Sequence, residues 1–138
     1  YVIHACKEHY HRLAVGYLTQ AAPRNNEYLI ARRRDTLSLN LVDSPNPNLI
    51  IRELIDGALM FIYEGLQKNH NVFVHCNRGE SRGPGIGFLF LLLMTDFPKT
   101  SFEVAEQEFR RIYPKYRPSN GIREFIRINF NIYAGDNI

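Results

Sequence analysis

Val72-Phe73-Val74-His75-Cys76-Asn77-Arg78-Gly79-Glu80-Ser81-Arg82 is the stretch on which the fold turns. A short apolar run (VFVH) passes into a polar turn holding a glycine. The turn then passes into residues 84–94, which are almost all apolar. This predicts a central strand buried on both faces, a tight loop, and a helix buried all round. In sheets of this kind ligands sit beyond the carboxyl ends of strands, where the loop lies. Main-chain N–H groups curling over a helix N-terminus cradle anions. A cysteine at the base of such a cradle, near an arginine, is placed for chemistry. Such surroundings lower a thiol pKa to roughly 3.5–7.5 and hold it as thiolate at neutral pH. Arg82, six positions after Cys76, can fold back and grip two phosphate oxygens with its planar fork. These parts make a nucleophilic phosphoryl-transfer site that needs no metal or cofactor. The competing reading is Cys76 as a small core residue and Arg82 as a surface charge. His75, Gly79 and the strand–loop–helix context favour the first.

Outward from this loop, strands alternate with helices. Residues 1–6 (YVIHAC) read as a first strand, residues 28–31 as a short one, and residues 37–42 (LSLNLV) alternate at period two. Residues 9–20 are ambiguous. The cluster Asp43-Ser44-Pro45-Asn46-Pro47 ends a strand and opens a helix, with Asn46 or Ser44 as cap. Residues 49–67 carry apolar side chains at helical spacing. Residues 101–112 predict an amphipathic helix capped by Ser101, and Ser119 or Asn120 opens a last helix reaching about residue 132. The expected fold is α/β, a central and mostly parallel sheet flanked by helices, in one domain over residues 1–138.

The segment resembles the His-Cys-x2-Gly-x2-Arg signature of the protein tyrosine and dual-specificity phosphatases. The resemblance implies that Cys76 forms a phosphocysteine intermediate. Arg82, with Asn77, Arg78, Gly79, Glu80 and Ser81, would bind the phosphate, and His75 would orient the loop. The family also uses a general acid on a separate loop. Asp43, 33 positions before Cys76, matches in spacing and placement; the alternative is an ordinary turn aspartate. Arg117-Pro118-Ser119-Asn120-Gly121 resembles the segment that buttresses the phosphate loop, which implies a supporting role for Asn120, or a plain helix cap. Together with the opening Val2-Ile3-His4-Ala5-Cys6-Lys7, the chain is similar to short dual-specificity-like proteins of bacteria and their phages. The implied partner is a phosphorylated protein or peptide, dephosphorylated on Tyr and also Ser or Thr. One departure stands out. The family places Ser or Thr after the arginine, where its hydroxyl helps the sulfur leave, and here the residue is Gly83. Slow turnover is expected, and activity restored by Gly83→Ser would mark this position as the defect. A phosphate-binding module without turnover, or an assembly component of a larger particle, are the other readings.

Composition sets the remaining bounds. The 138 residues are 45% hydrophobic and 22% charged, with net charge +3 and pI near 9.0. That suits a globular protein and an anionic substrate, and is too weakly basic to imply nucleic acid. No apolar run reaches membrane-span length, and no signal or lipidation motif is read. The chain opens on Tyr1 rather than Met, which leaves a processed or upstream start open. Two cysteines, Cys6 and Cys76, make no disulfide framework, so a reducing cytoplasmic setting is expected. Cys6 and Cys76 form a candidate redox pair, with an inert buried Cys6 the favoured reading. His4, Cys6, His9 and His11 match no standard ligand spacing, and a packed strand with solvent histidines is expected rather than a metal site. Arg32-Arg33-Arg34 reads as a solvated loop, with an acidic partner as the alternative. Glu80 on the loop rim disfavours polyanionic head groups; Arg78 pulls the other way.

Overall fold

The computed structural model describes residues 1–135. Strand β1 (Val2–His4) enters a wide turn at Lys7–His11 and one helical turn, α1 (Arg12–Val15), which ends at Gly16 with φ +91°. Strands β2 (Ile30–Arg33) and β3 (Thr36–Leu39) form a hairpin. A short 3-10 turn (Pro47–Leu49) precedes α2 (Arg52–Gln67), and strand β4 (Phe73–His75) comes next. Helices α3 (Arg82–Met94), α4 (Phe102–Ile112), α5 (Asn120–Ile128) and α6 (Phe130–Ala134) complete the chain. The sheet order is β2-β3-β1-β4. β1 runs parallel to both β3 and β4, and β2 runs antiparallel to β3. The architecture is the mixed α/β one expected, a mostly parallel sheet flanked by helices.

Register explains the layering. Ile3, Leu37 and Val74 lie side by side across β1, β3 and β4. They join the core with Leu39, Leu54, Leu59, Ile86, Phe88, Leu89 and Leu92. Each Leu or Ile fully buried there contributes roughly 1.5–3 kcal/mol. His4, Ser38 and His75, one residue on, face the other way because strand side chains alternate. The Lys7–His11 turn covers that face, with the Tyr10 ring stacked on His4.

Several elements differ from expectation. β4 is an edge strand rather than a central one: among the described residues it pairs only with β1, and Phe73 is 62% exposed. Its four-residue run alternates, with Val74 toward the core and Phe73 away, so the continuous apolar look misled. α3 is buried on one side only, because Phe90 and Leu91 border an open apolar groove along the β4 edge. Its first turn also starts earlier, at Arg82. Arg32 and Arg33 sit on β2 rather than in a loop, paired with Glu64 at 2.5 Å and Glu27 at 2.5 Å. The last helix breaks at Asn129, whose side-chain amide donates to the Phe125 carbonyl (2.8 Å) and competes with the helix ladder. No described helix is long and apolar enough to cross a membrane.

Candidate active site

β4 delivers Cys76 to the start of a loop that ends on the first turn of α3. Gly79 takes φ +69°, a left-handed conformation that glycine adopts without a Cβ clash, and this lets the loop curl. Two bonds hold the curl from outside. The Tyr113 hydroxyl donates to the Gly79 carbonyl (2.8 Å), and the Arg117 main-chain N–H donates to the Glu80 carbonyl (2.8 Å). Among the described residues, nothing accepts from the main-chain N–H groups of residues 77–81. Free amides ahead of a helix N-terminus can cradle an anion.

Arg82 is folded inward, 9% exposed. Its Nη1 donates to the Leu41 carbonyl (3.0 Å). With the Asn77 amide turned so that its oxygen faces the guanidinium, Asn77 accepts from Nη2 (3.3 Å) and donates to the Glu8 carbonyl (3.2 Å). The buried Nε has no partner among the described residues. A buried charged donor without a partner is costly unless something accepts from it. An oxyanion in the loop is an acceptor of the right charge.

Asp43 lines the same cleft as Arg82. This cleft, of about 370 Å³, is lined by Asp43, Cys76, Arg78, Ser81, Arg82 and Ser119, among others. The Ser81 hydroxyl donates to Asp43 Oδ1 (3.0 Å) and accepts from the Ser119 main-chain N–H (2.8 Å). The Ser119 hydroxyl caps α5 by accepting from the Ile122 N–H (3.2 Å). One serine thus ties the Cys76 loop, the Asp43 loop and the start of α5 together. The expected buttress Asn120 does a different job. Its side chain donates to the Pro45 carbonyl (3.0 Å), so it braces the Asp43 loop and not the Cys76 loop. Beside it, a Cβ on Gly121 would lie 2.0 Å from the Ser44 carbonyl oxygen, so only glycine lets α5 close on that loop. Ser119 and Gly121 were legible only as parts of a cap and a turn; nothing in their spacing marked the contacts they make.

Gly83 also has a structural reason. A Cβ there would sit 3.2 Å from the His75 carbonyl carbon and 3.3 Å from the Cys76 nitrogen. Both are main chain and cannot rotate away. The helix therefore packs closely on β4, and a side chain at this position requires the neighbouring main chain to give by a few tenths of an ångström.

The N-terminal histidines and Cys6 do not converge. His4 meets His75 across the sheet. His11 is fully buried, accepting from the Tyr17 hydroxyl at Nδ1 (3.0 Å) and donating from Nε2 to the Glu27 carbonyl (2.8 Å). It is a core histidine rather than a solvent one, and burial holds its pKa below the ordinary value. Among the described residues no group of three or more His, Cys, Asp or Glu side chains could hold a metal ion. Cys6 is fully buried, and both cysteines are free thiols. Burial pushes the Cys6 thiol up to about 11; Arg82 opposes this and Cys76 adds to it.

No protein-family model matches this chain, and no curated protein does. A solved structure does match: the human tyrosine phosphatase-like serine/threonine/tyrosine-interacting protein. The TM-score is 0.59 at 18% identity, over 96% of this chain and 74% of that one. The chain has a phosphatase-like fold.

Proposed function

We propose that this chain hydrolyses phosphomonoesters on protein side chains, phosphotyrosine foremost and phosphoserine or phosphothreonine in addition, through a phosphocysteine intermediate. The single observation that carries the reading is the inward-folded Arg82, its Nε unpartnered among the described residues, in the same cleft as Cys76 and Asp43. The phosphate would bind on the free amides of residues 77–81, with the Arg82 fork on two of its oxygens. The Cys76 sulfur attacks phosphorus, and the leaving oxygen takes a proton from the Asp43 carboxyl. Asp43 then removes a proton from water as the water displaces the sulfur, releasing inorganic phosphate and the thiolate. Transition-state charge falls on donors already in place, and such preorganised donors usually supply more of the rate enhancement than any other single effect.

A second reading is favoured by Gly83. With no hydroxyl after Arg82 and close packing of α3 on the Cys76 strand, release of the sulfur is the weak step, and the chain acts as a phosphate-binding module that turns over slowly.

Hydrolysis of p-nitrophenyl phosphate by the wild type, Cys76→Ser and Asp43→Asn separates these readings. Turnover that Cys76→Ser abolishes, and that Asp43→Asn cuts by roughly 10²-fold or more, supports the enzyme. A single burst of nitrophenol with little turnover after it supports the slow module. Hydrolysis that survives Cys76→Ser would defeat both.

A further inference from the structure

We propose that His4 is a positioning residue for the nucleophile: it shares a hydrogen bond with His75 and so fixes the imidazole that directly precedes Cys76. This rests on the phosphatase reading of the loop and adds a residue outside the signature.

The pairing begins in the backbone. His4 and His75 are register partners on the parallel strands β1 and β4, so their side chains leave the same face as immediate neighbours. His4 Nδ1 and His75 Nε2 are hydrogen-bonded, and the rings meet edge to face, 4.6 Å between centroids at 82°. Aromatic rings pack against the pair on further sides. Tyr10 stacks on His4 at 4.1 Å and meets His75 edge-on at 5.1 Å. Phe73 stacks on His75 at 5.4 Å. On the main chain, the His75 carbonyl accepts from the Ala5 N–H (2.8 Å), and Gly83 packs on the His75 backbone. Among the described residues, the one polar partner of the His75 ring is His4.

An N···N hydrogen bond holds one proton. In the neutral pair one ring donates and the other accepts, so the tautomer of one fixes the tautomer of the other. Two imidazolium rings cannot bond. The titratable groups facing His4 are His75 from β4 and Tyr10 from the Lys7–His11 turn; Ser38 from β3 shares the face by register. Burial, then the charge of His75, holds the His4 pKa below its ordinary value, which favours a bond-competent neutral ring. A fixed His75 in turn fixes where the next residue points its sulfur.

The test compares His4→Leu, which keeps bulk and loses the bond, with His4→Asn, whose amide nitrogen or oxygen falls near the place of Nδ1 and does not titrate. Both are made in a Cys6→Ala background, so that iodoacetamide reports Cys76 alone. Alkylation rates are measured across pH 5–9 beside thermal unfolding. His4→Leu is expected to slow alkylation at neutral pH by roughly tenfold and move the pH profile, as loss of an outer-shell orienting partner does elsewhere. His4→Asn is expected to restore the rate to within about threefold of the parent. Equal profiles for the two variants, or an unchanged His4→Leu profile, overturn the proposal. Imidazole nitrogen NMR of the unmutated protein keeps the test independent of variant folding: His4 and His75 titrating as one coupled pair supports it, and two independent titrations overturn it. Failure of the phosphatase reading itself would look different, with no p-nitrophenyl phosphate hydrolysis by the wild type while the alkylation contrast persists.

Discussion

Cys6 and Cys76 lie just beyond two neighbouring parallel strands, β1 and β4, and each comes after a similar run, Val2-Ile3-His4-Ala5 in one case and Phe73-Val74-His75 in the other. After Cys6 the chain enters the Lys7–His11 turn. After Cys76 it enters a curled loop and the first turn of a thirteen-residue helix. Cys6 is fully buried and its thiol is pushed up to about 11. Cys76 borders the cleft that also holds Asp43 and Arg82. Residue type and strand therefore do not decide the chemistry. The two ends differ in the segment beyond the strand: a run of free amides and a helix dipole on one side, closed packing on the other.

Arg82 touches both halves of this contrast, since it faces the loop and also opposes the rise of the Cys6 thiol. Arg82→Lys keeps the charge and removes the planar fork. A fall in p-nitrophenyl phosphate turnover on the order of 10²–10³-fold is expected, with folding intact by circular dichroism. A loss of less than about threefold would mean that a point charge suffices and that bidentate grip is not what distinguishes the Cys76 side.

Much of this arrangement was legible in the sequence. VFVHC, a glycine turn and an apolar run mark strand, loop and helix by local pattern, and the alternation of elements along the chain pointed to a mostly parallel sheet. Asp43 could be placed by spacing because it lies at the end of a strand-like run of its own. The features that stayed hidden depended on which strands neighbour which. β4 reads as central until its register shows one side paired. Asn120 reads as a prop for the phosphate loop until its amide is seen on the Pro45 carbonyl. His4 was legible only as one of a His/Cys cluster; parallel pairing of β1 with β4 is what sets it beside His75.

Gly83 is the case where the sequence and the packing disagree in meaning. By resemblance it is a missing hydroxyl; in the structure it is a close approach of α3 to the Cys76 strand. Gly83→Ser is therefore expected to destabilise the fold by up to about 3 kcal/mol, since the neighbouring atoms are main chain and no side chain is there to absorb the strain. Urea unfolding measures this directly. Unchanged stability together with faster turnover would restore the simpler view, that the Cys76 side lacks only a hydroxyl.

The smallest effect probes the quiet cysteine. Below the ordinary thiol value of 9.0, Cys6 is protonated in both the folded and the unfolded chain. As pH rises from there toward about 11, the unfolded chain gives up this proton first and the folded chain keeps it. The native state then binds more protons, so stability is full at lower pH and is lost through this window. The loss is on the order of 2 kcal/mol. Tyrosines ionising in the same range contribute to the total slope, so the informative quantity is a difference: urea midpoints of wild type and Cys6→Ala, compared at about pH 8 and about pH 10.5. The variant should lose less stability between the two than the wild type does. If both lose the same, Cys6 is not held protonated by its surroundings, and the contrast between the two strand ends has to rest on Cys76 and its loop alone.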